Sequence, residues 1–173
     1  MKETAFLQHF IGKLHDDIAK AVGEMSDEQL YYYPEGGVHA AFHAWHVIRT
    51  ADNVINFVCQ DRKRPVWMRQ NLHEEWSLPK AAQGTGMDLA EAQALRLPSN
   101  EEFQNYIAAV KSDVLGYFDA IGDDDLAVET EVKPFGVKPK LQHIGQTILS
   151  HGGTHLGQIK MLRTMQGLKG DEI

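Results

Sequence analysis

The sequence predicts an all-α fold, an antiparallel four-helix bundle with a long crossover connection, built as a single domain over residues 1–173. Three observations carry this expectation. Four stretches of about twenty residues repeat apolar side chains at i, i+3/i+4 spacing. All six prolines fall between these stretches, never inside them. The connections differ in length, and the one after the second helix is long enough to cross the bundle. With 43% hydrophobic and 24% charged residues, a 173-residue chain can bury one core without covalent staples.

The first helix is predicted over 4–23. Phe6, Leu7, Phe10, Ile11, Leu14, Ile18 and Val22 form its apolar stripe, Lys13, Asp16, Asp17 and Lys20 point outward, and Gly23 ends it. Met25–Leu30 makes one short turn of helix at most, and Tyr31-Tyr32-Tyr33-Pro34-Glu35-Gly36-Gly37 breaks the pattern. The three tyrosines suit aromatic packing at the entry to the next helix. That second helix is predicted over 39–61, with Phe42, Trp45, Val47, Ile48, Val54, Ile55, Phe57 and Val58, and Pro65 closes it.

Residues 62–98 are the least regular part. Trp67 and Trp76 are expected to pack this segment onto the body. Asp88-Leu89-Ala90-Glu91 is a capping box that opens a short helix to about Leu97. A connection of this length is commonly functional or a lid. A second capping box, Ser99-Asn100-Glu101-Glu102, opens the third helix over 100–121, which Gly122 and Asp123-Asp124-Asp125 end. Residues 126–138 alternate Val128, Thr130 and Val132 beside Pro134, Gly136 and Pro139, a crossover with at most a short hairpin. The fourth helix is predicted over 140–166, and Gly167 is its C-cap.

Composition excludes several classes of function. Seventeen Lys and Arg against twenty-four Asp and Glu give a net charge of −7, and the one basic run, Arg62-Lys63-Arg64, is short, so no nucleic-acid partner is expected. No apolar run reaches the length of a membrane span, and the N-terminal residues lack the apolar core of a signal peptide, so no membrane partner is expected and the protein is expected to be cytoplasmic. Cys59 is the single cysteine, among apolar neighbours, and suits an inert core role.

Nine histidines are the unusual feature. His151 and His155 lie one turn apart on one face of the fourth helix, so both imidazoles can address one atom. His39, His43 and His46 share a face of the second helix, and the two groups can meet across the core. Neutral imidazole ligates zinc, nickel, copper or ferrous iron. Three such ligands with no fourth from the protein leave a coordination position open for substrate. Gly152-Gly153 between the ligands weakens the helix by roughly 1 kcal/mol per glycine, a loss that makes sense if something must approach the backbone there. The plainer alternative is a set of core histidines satisfied by ordinary hydrogen bonds. His9, His15 and His73 are expected at the rim or in solvent, and His143 either behind the site or capping. The sequence holds no HExxH, no Glu-x-x-His, no phosphate-binding glycine loop and no GxSxG.

Ser150-His151-Gly152-Gly153-Thr154-His155-Leu156-Gly157-Gln158-Ile159 resembles the HxxxHxGQI signature of the DinB/YfiT-like family of metal-dependent four-helix-bundle proteins. Trp45-His46-Val47-Ile48-Arg49-Thr50-Ala51-Asp52 resembles the segment that supplies that family's first metal histidine, followed by an acidic position. The stretch from Leu78-Pro79 to Gly84-Thr85-Gly86-Met87 is similar to a loop of one of its subgroups. The likeness runs through nearly the whole chain. It implies a mononuclear site for a divalent transition metal (zinc, nickel or iron) on His46, His151 and His155, and often a homodimer. His43, one turn before His46, either replaces that ligand or supports it. Trp67, Trp76 and the outer apolar positions of the first helix are candidates for a dimer surface. Family members of known activity resemble thiol S-transferases and thiol-dependent isomerases that use low-molecular-weight thiols such as bacillithiol or mycothiol. The expected function is thus a metal-dependent enzyme acting on a small molecule, with Asp52, His43 or Tyr33 as candidates to orient it. The alternative is a non-catalytic metal-binding stress-response bundle.

Overall fold

The computed structural model describes residues 2–132 and 136–170. Ten α-helical segments, two π-helical turns and one hairpin occur among them: α1 (Glu3–Gly23), α2 (Asp27–Leu30), α3 (Ala40–Asp52), α4 (Val66–Arg69), α5 (Leu72–Glu75), α6 (Leu89–Ala94), α7 (Asn100–Ala120), α8 (Asp123–Leu126), β1 (Glu129–Val132), β2 (Gly136–Pro139), α9 (Lys140–Ile144) and α10 (His151–Met165). Pro134, expected to punctuate the hairpin, lies outside the described residues.

Four long elements make the bundle, and their side-chain contacts fix its directions. Thr4 at the start of α1 donates from its amide and hydroxyl to Asp123 beyond the end of α7, each at 2.9 Å. At the other end Asn100 and Gln104 of α7 donate to the carbonyls of Val22 and Ala19. So α1 and α7 are antiparallel. His43 meets His155 and His46 meets His151, which makes α3 and α10 antiparallel as well. Leu14 lies against Gly152, and Arg163 donates to the Ala21 carbonyl and to Glu24, so α1 and α10 run in parallel. Tyr106 donates to Asp52 at 2.9 Å, and Asn56 bonds Asp113, which sets α3 parallel to α7. Parallel neighbours cannot be joined by a tight turn, and this is why the chain spends residues 59–99 on a crossover.

Local chemistry explains the element ends. Ser26, Asp88 and Ser99 each accept a backbone N–H three residues on, and Gln29 and Glu91 close reciprocal capping boxes. Gly167 takes φ +77°, a conformation that favours glycine, just past the end of α10. The predicted second and fourth helices are not uniformly α. Asn53–Val58 continues α3 as a π turn, and Gly145–Ser150 joins α9 to α10 as another. Each π turn rotates the residues that follow it relative to a 3.6-residue pattern. Phe57, which that pattern places in the core, is accordingly 45% exposed.

Trp45, Ile48, Phe103, Val110, Val114 and Ile159 are buried where the helices meet. Trp67 and Trp76 are buried too, with ring centroids 5.3 Å apart, and Tyr106 lies 5.5 Å from Trp67. The crossover is therefore anchored by aromatic packing as expected, but these tryptophans are not available to a dimer surface. Phe6 and Phe10 of α1 are exposed. No helix among the described residues is long and apolar enough to cross a membrane.

Candidate metal centre

His46, His151 and His155 converge, and their ligand nitrogens all lie within 4.8 Å of one another. Nε2 of His151 is 3.0 Å from Nε2 of His46 and 3.0 Å from Nε2 of His155. Zinc–imidazole bonds of about 2.0–2.1 Å set the nitrogens of a tetrahedral ion about 3.3 Å apart, so the triad is close to the spacing an ion requires.

The opposite ring edges decide what these nitrogens can do. Nδ1 of His46 faces the carbonyl of Gln83, and Nδ1 of His151 lies 3.2 Å from the carbonyl of Thr147. A carbonyl only accepts, so each Nδ1 carries the proton and each neutral ring turns an Nε2 lone pair inward. Nδ1 of His155 is 3.0 Å from Nδ1 of His43, whose ring also bonds the Val38 carbonyl. With His43 accepting, His155 likewise presents a lone pair. Lone pairs facing each other at 3.0 Å repel, and a shared cation relieves that repulsion. The outer carbonyls and His43 form the supporting layer that commonly orients metal-bound imidazoles.

Burial keeps the rings neutral. It lowers His46 and His151 below the usual imidazole value. It lowers His43 to about 4, helped by His46, and His155 to about 3, helped by the neighbouring histidines.

Two glycines let the scaffold close around this cluster. Gly84 has φ +99°, and a Cβ there would lie 2.9 Å from His46 Nδ1 and 3.1 Å from Phe42, whose ring stacks on His46. The crossover can therefore place the Gln83 carbonyl on His46 only with glycine next to it. A Cβ on Gly152 would lie 2.6 Å from Leu14 and 3.2 Å from Val47, so glycine is what brings α1, α3 and α10 together here. Gly153 meets nothing within 4 Å, and its part of the expected close approach is not used by a neighbouring helix. A cleft of about 680 Å³ reaches His46 and His151 from solvent.

The other sequence candidates separate. His43 supports His155 and does not replace His46. His39 caps α3, accepting the Phe42 N–H at 3.0 Å. Asp52 does not orient a ligand: it is fully buried, accepts the Val66 and Trp67 amides at 2.8 and 3.0 Å, and lies 3.6 Å from Arg49. It caps α4 and ties the crossover to α7. Tyr33 is exposed and packs by its ring 6.2 Å from His39. His15 and His73, expected at the rim or in solvent, are buried. Burial lowers His15 to about 4, while its Nδ1–H donates to the Ile11 carbonyl at 2.8 Å. His15 lies four residues after Ile11 and three before Ile18, a periodicity that could have revealed it. His143 is buried and donates to the Thr130 carbonyl of β1 at 3.2 Å, holding the hairpin rather than the site. His9 is exposed as expected. Cys59 is buried, and burial raises its thiol to about 11, which suits an inert core residue. Gln83 escaped sequence reasoning because it acts through its main-chain carbonyl, which has no residue signature. The Gly84–Gly86 pair beside it was the available signal.

Two antiparallel helices presenting three convergent neutral imidazoles inside a bundle with a parallel crossover define a class of helical proteins with a candidate metal centre. The chain belongs to the DinB superfamily, whose sequence pattern matches residues 12–159. It is similar in structure to a crystal structure described as a conserved protein of locus from Enterococcus faecalis, with a TM-score of 0.77, 17% sequence identity, and coverage of 95% of this chain and 99% of that one. At that identity the likeness concerns the fold. No curated protein sequence matches the chain.

Proposed function

We propose that the protein is a metal-dependent enzyme with a mononuclear three-histidine site, a transferase that joins a low-molecular-weight thiol to a small electrophile or assists an isomerisation with it. His46, His151 and His155 are the ligands of a divalent transition metal (zinc, nickel or iron). The observation that carries this reading is the inward convergence of three imidazole nitrogens whose rings are held from behind by Gln83, Thr147 and His43. A divalent ion on three neutral imidazoles keeps its full charge and supplies acidification of a bound thiol or water.

The chain's own groups do the rest. The Gln83 and Thr147 carbonyls fix two tautomers. His43, turned to the back of His155, leaves the coordination shell unclosed, which favours an enzyme over a closed storage or structural site. Phe42 and Gly84 shield one side of His46, and the cleft admits substrate from the other. The reading takes the protein as cytoplasmic and, through exposed Phe6 and Phe10, as a homodimer.

The test is thiol transfer to a fluorogenic electrophile by protein loaded separately with zinc, nickel or ferrous iron. At least one metal should accelerate transfer at least tenfold over free metal plus thiol, and His151→Ala should abolish the gain. Equal rates for wild type and His151→Ala with every metal would overturn the reading.

A further inference from the structure

The cleft that reaches His46 and His151 is lined by both π turns together with the crossover around Gln83. Since α3 and α10 are antiparallel and His46 meets His151, Asn53 on one turn and Gln146 on the other come level on facing elements. Both line the cleft, with Val54, Val58 and Thr147 from the same turns. An α-helix would carry these side chains round by a different angle, so the π turns set which groups face the space beside the histidines.

The chemistry of that wall is narrow. Asn53, Gln83 and Gln146 contribute amides, and Thr50, Thr85 and Thr147 contribute hydroxyls. Alanine and valine side chains supply the remainder beside the two histidines, and no lining residue among the described ones carries a formal charge. Thr50 Oγ1 and Gln83 Oε1 are buried with no hydrogen-bond partner among the described residues, and Thr147 Oγ1 donates to the His143 carbonyl at 2.6 Å, so the polar groups open to a ligand are chiefly the Asn53 and Gln146 amides and the Thr85 hydroxyl. Lys138 on β2 reaches Gln146 Oε1 with its ammonium at 3.4 Å, but it is not one of the wall residues.

From the facing π turns and their uncharged amide and hydroxyl wall, we infer that this cleft selects a neutral substrate bearing amide and hydroxyl groups and disfavours a carboxylate. Carboxylates are recognised by guanidinium or ammonium groups, and the described residues of this wall offer neither. Amides and hydroxyls both donate and accept, and so match a polar ligand without charge. The inference rests on the thiol-transfer reading for the identity of the ligand's reacting atom, but not for the preference itself.

The test uses a matched pair, N-acetylcysteamine with a neutral amide and 3-mercaptopropionate with a carboxylate, and the S-methyl thioether of each. The thiols are titrated into cobalt-substituted protein and read by the sulfur-to-cobalt absorption band. The thioethers are titrated into metal-free protein and read by ligand-observed NMR, which removes the ion's attraction for anions. We expect N-acetylcysteamine to bind at least fivefold tighter than 3-mercaptopropionate, and the thioethers to keep that order. Gln146→Lys should shift the preference at least threefold toward the carboxylate, whereas Ala5→Lys on the exposed face of α1 should leave it unchanged. No absorption band with either thiol, together with the same order among the thioethers, would support the cleft assignment and overturn the thiol reading. Equal or tighter binding of the carboxylate thioether, no thioether binding, or an identical response to both lysine variants would overturn the inference.

Discussion

At the scale of single residues the candidate site depends on groups that never face its centre. Gly152 leaves no room for a methyl group, whose carbon would stand 2.6 Å from Leu14. Gly152→Ala is expected to destabilise the fold by about 1–3 kcal/mol. Leu14→Ala in the same chain should return part of that loss relative to Leu14→Ala alone, measured as urea midpoints in a double-mutant cycle. Strict additivity would place the strain elsewhere. His15 gives a pH signature. Its folded pKa of about 4 lies below the unfolded value near 6.5, so between those values the unfolded chain binds more protons. The stability from keeping His15 neutral is therefore complete above pH 6.5 and is lost as pH falls toward 4, by up to about 3 kcal/mol. Wild type should lose more stability than His15→Leu between pH 7 and 5. Parallel losses would mean that other groups carry the acid sensitivity. The His151–His155 pair was legible in the sequence because i, i+4 spacing on a helix is a property of side chains, whereas the choice of His46 over His43 came from the family resemblance. The Gln83 carbonyl was not legible, because any residue supplies one.

At the scale of elements, Asp52 joins α3 to the crossover. It caps α4, accepts from Tyr106 and lies beside buried Arg49. Removing its carboxylate leaves Arg49 unpaired and two amides unbonded, so Asp52→Ala should lower stability by about 3–5 kcal/mol, and Asp52→Asn by less. Metal content per folded molecule should stay unchanged in Asp52→Asn, measured by element analysis of the monodisperse fraction. Loss of metal in a folded Asp52→Asn would return Asp52 to the site. Helix starts were legible at Asp88 and Ser99 because a capping box is a short-range pattern of side chains. The π turns at Asn53 and Gly145 were not: one extra residue per turn leaves an apolar stripe intact on either side and shows only as a misplaced Phe57. The same limit hid Asp52's role, since its partners Val66, Trp67 and Tyr106 come from other elements.

At the scale of the whole molecule, the hydrophobic core and the candidate metal centre are separable. The core runs the length of the bundle and includes the aromatic anchor at Trp67, whereas the imidazoles occupy one level between α3 and α10. Metal-free protein should therefore keep its helical circular-dichroism signal at 25 °C. Saturating metal, which binds the folded state alone, should raise its melting temperature by on the order of 10 °C. His151→Ala should melt at the same temperature with and without metal. The bundle, its crossover and the facing histidine groups could be read from periodicity and motif together. The parallel pairing of α3 with α7 could not, because helix direction is set by contacts such as Tyr106 with Asp52.

The measurement that tests the central claim most directly is element-resolved metal analysis of untagged protein beside His43→Ala, His46→Ala, His151→Ala and His155→Ala, after equilibration with a buffered metal series. The account predicts about one divalent ion per chain in wild type and none in the His46, His151 and His155 variants. His43→Ala should still fill at high metal but with affinity lowered about 10- to 100-fold, because it loses only the partner that orients His155. Metal retained in His46→Ala but lost in His43→Ala would contradict this assignment, and no metal in wild type at any concentration would contradict the site itself.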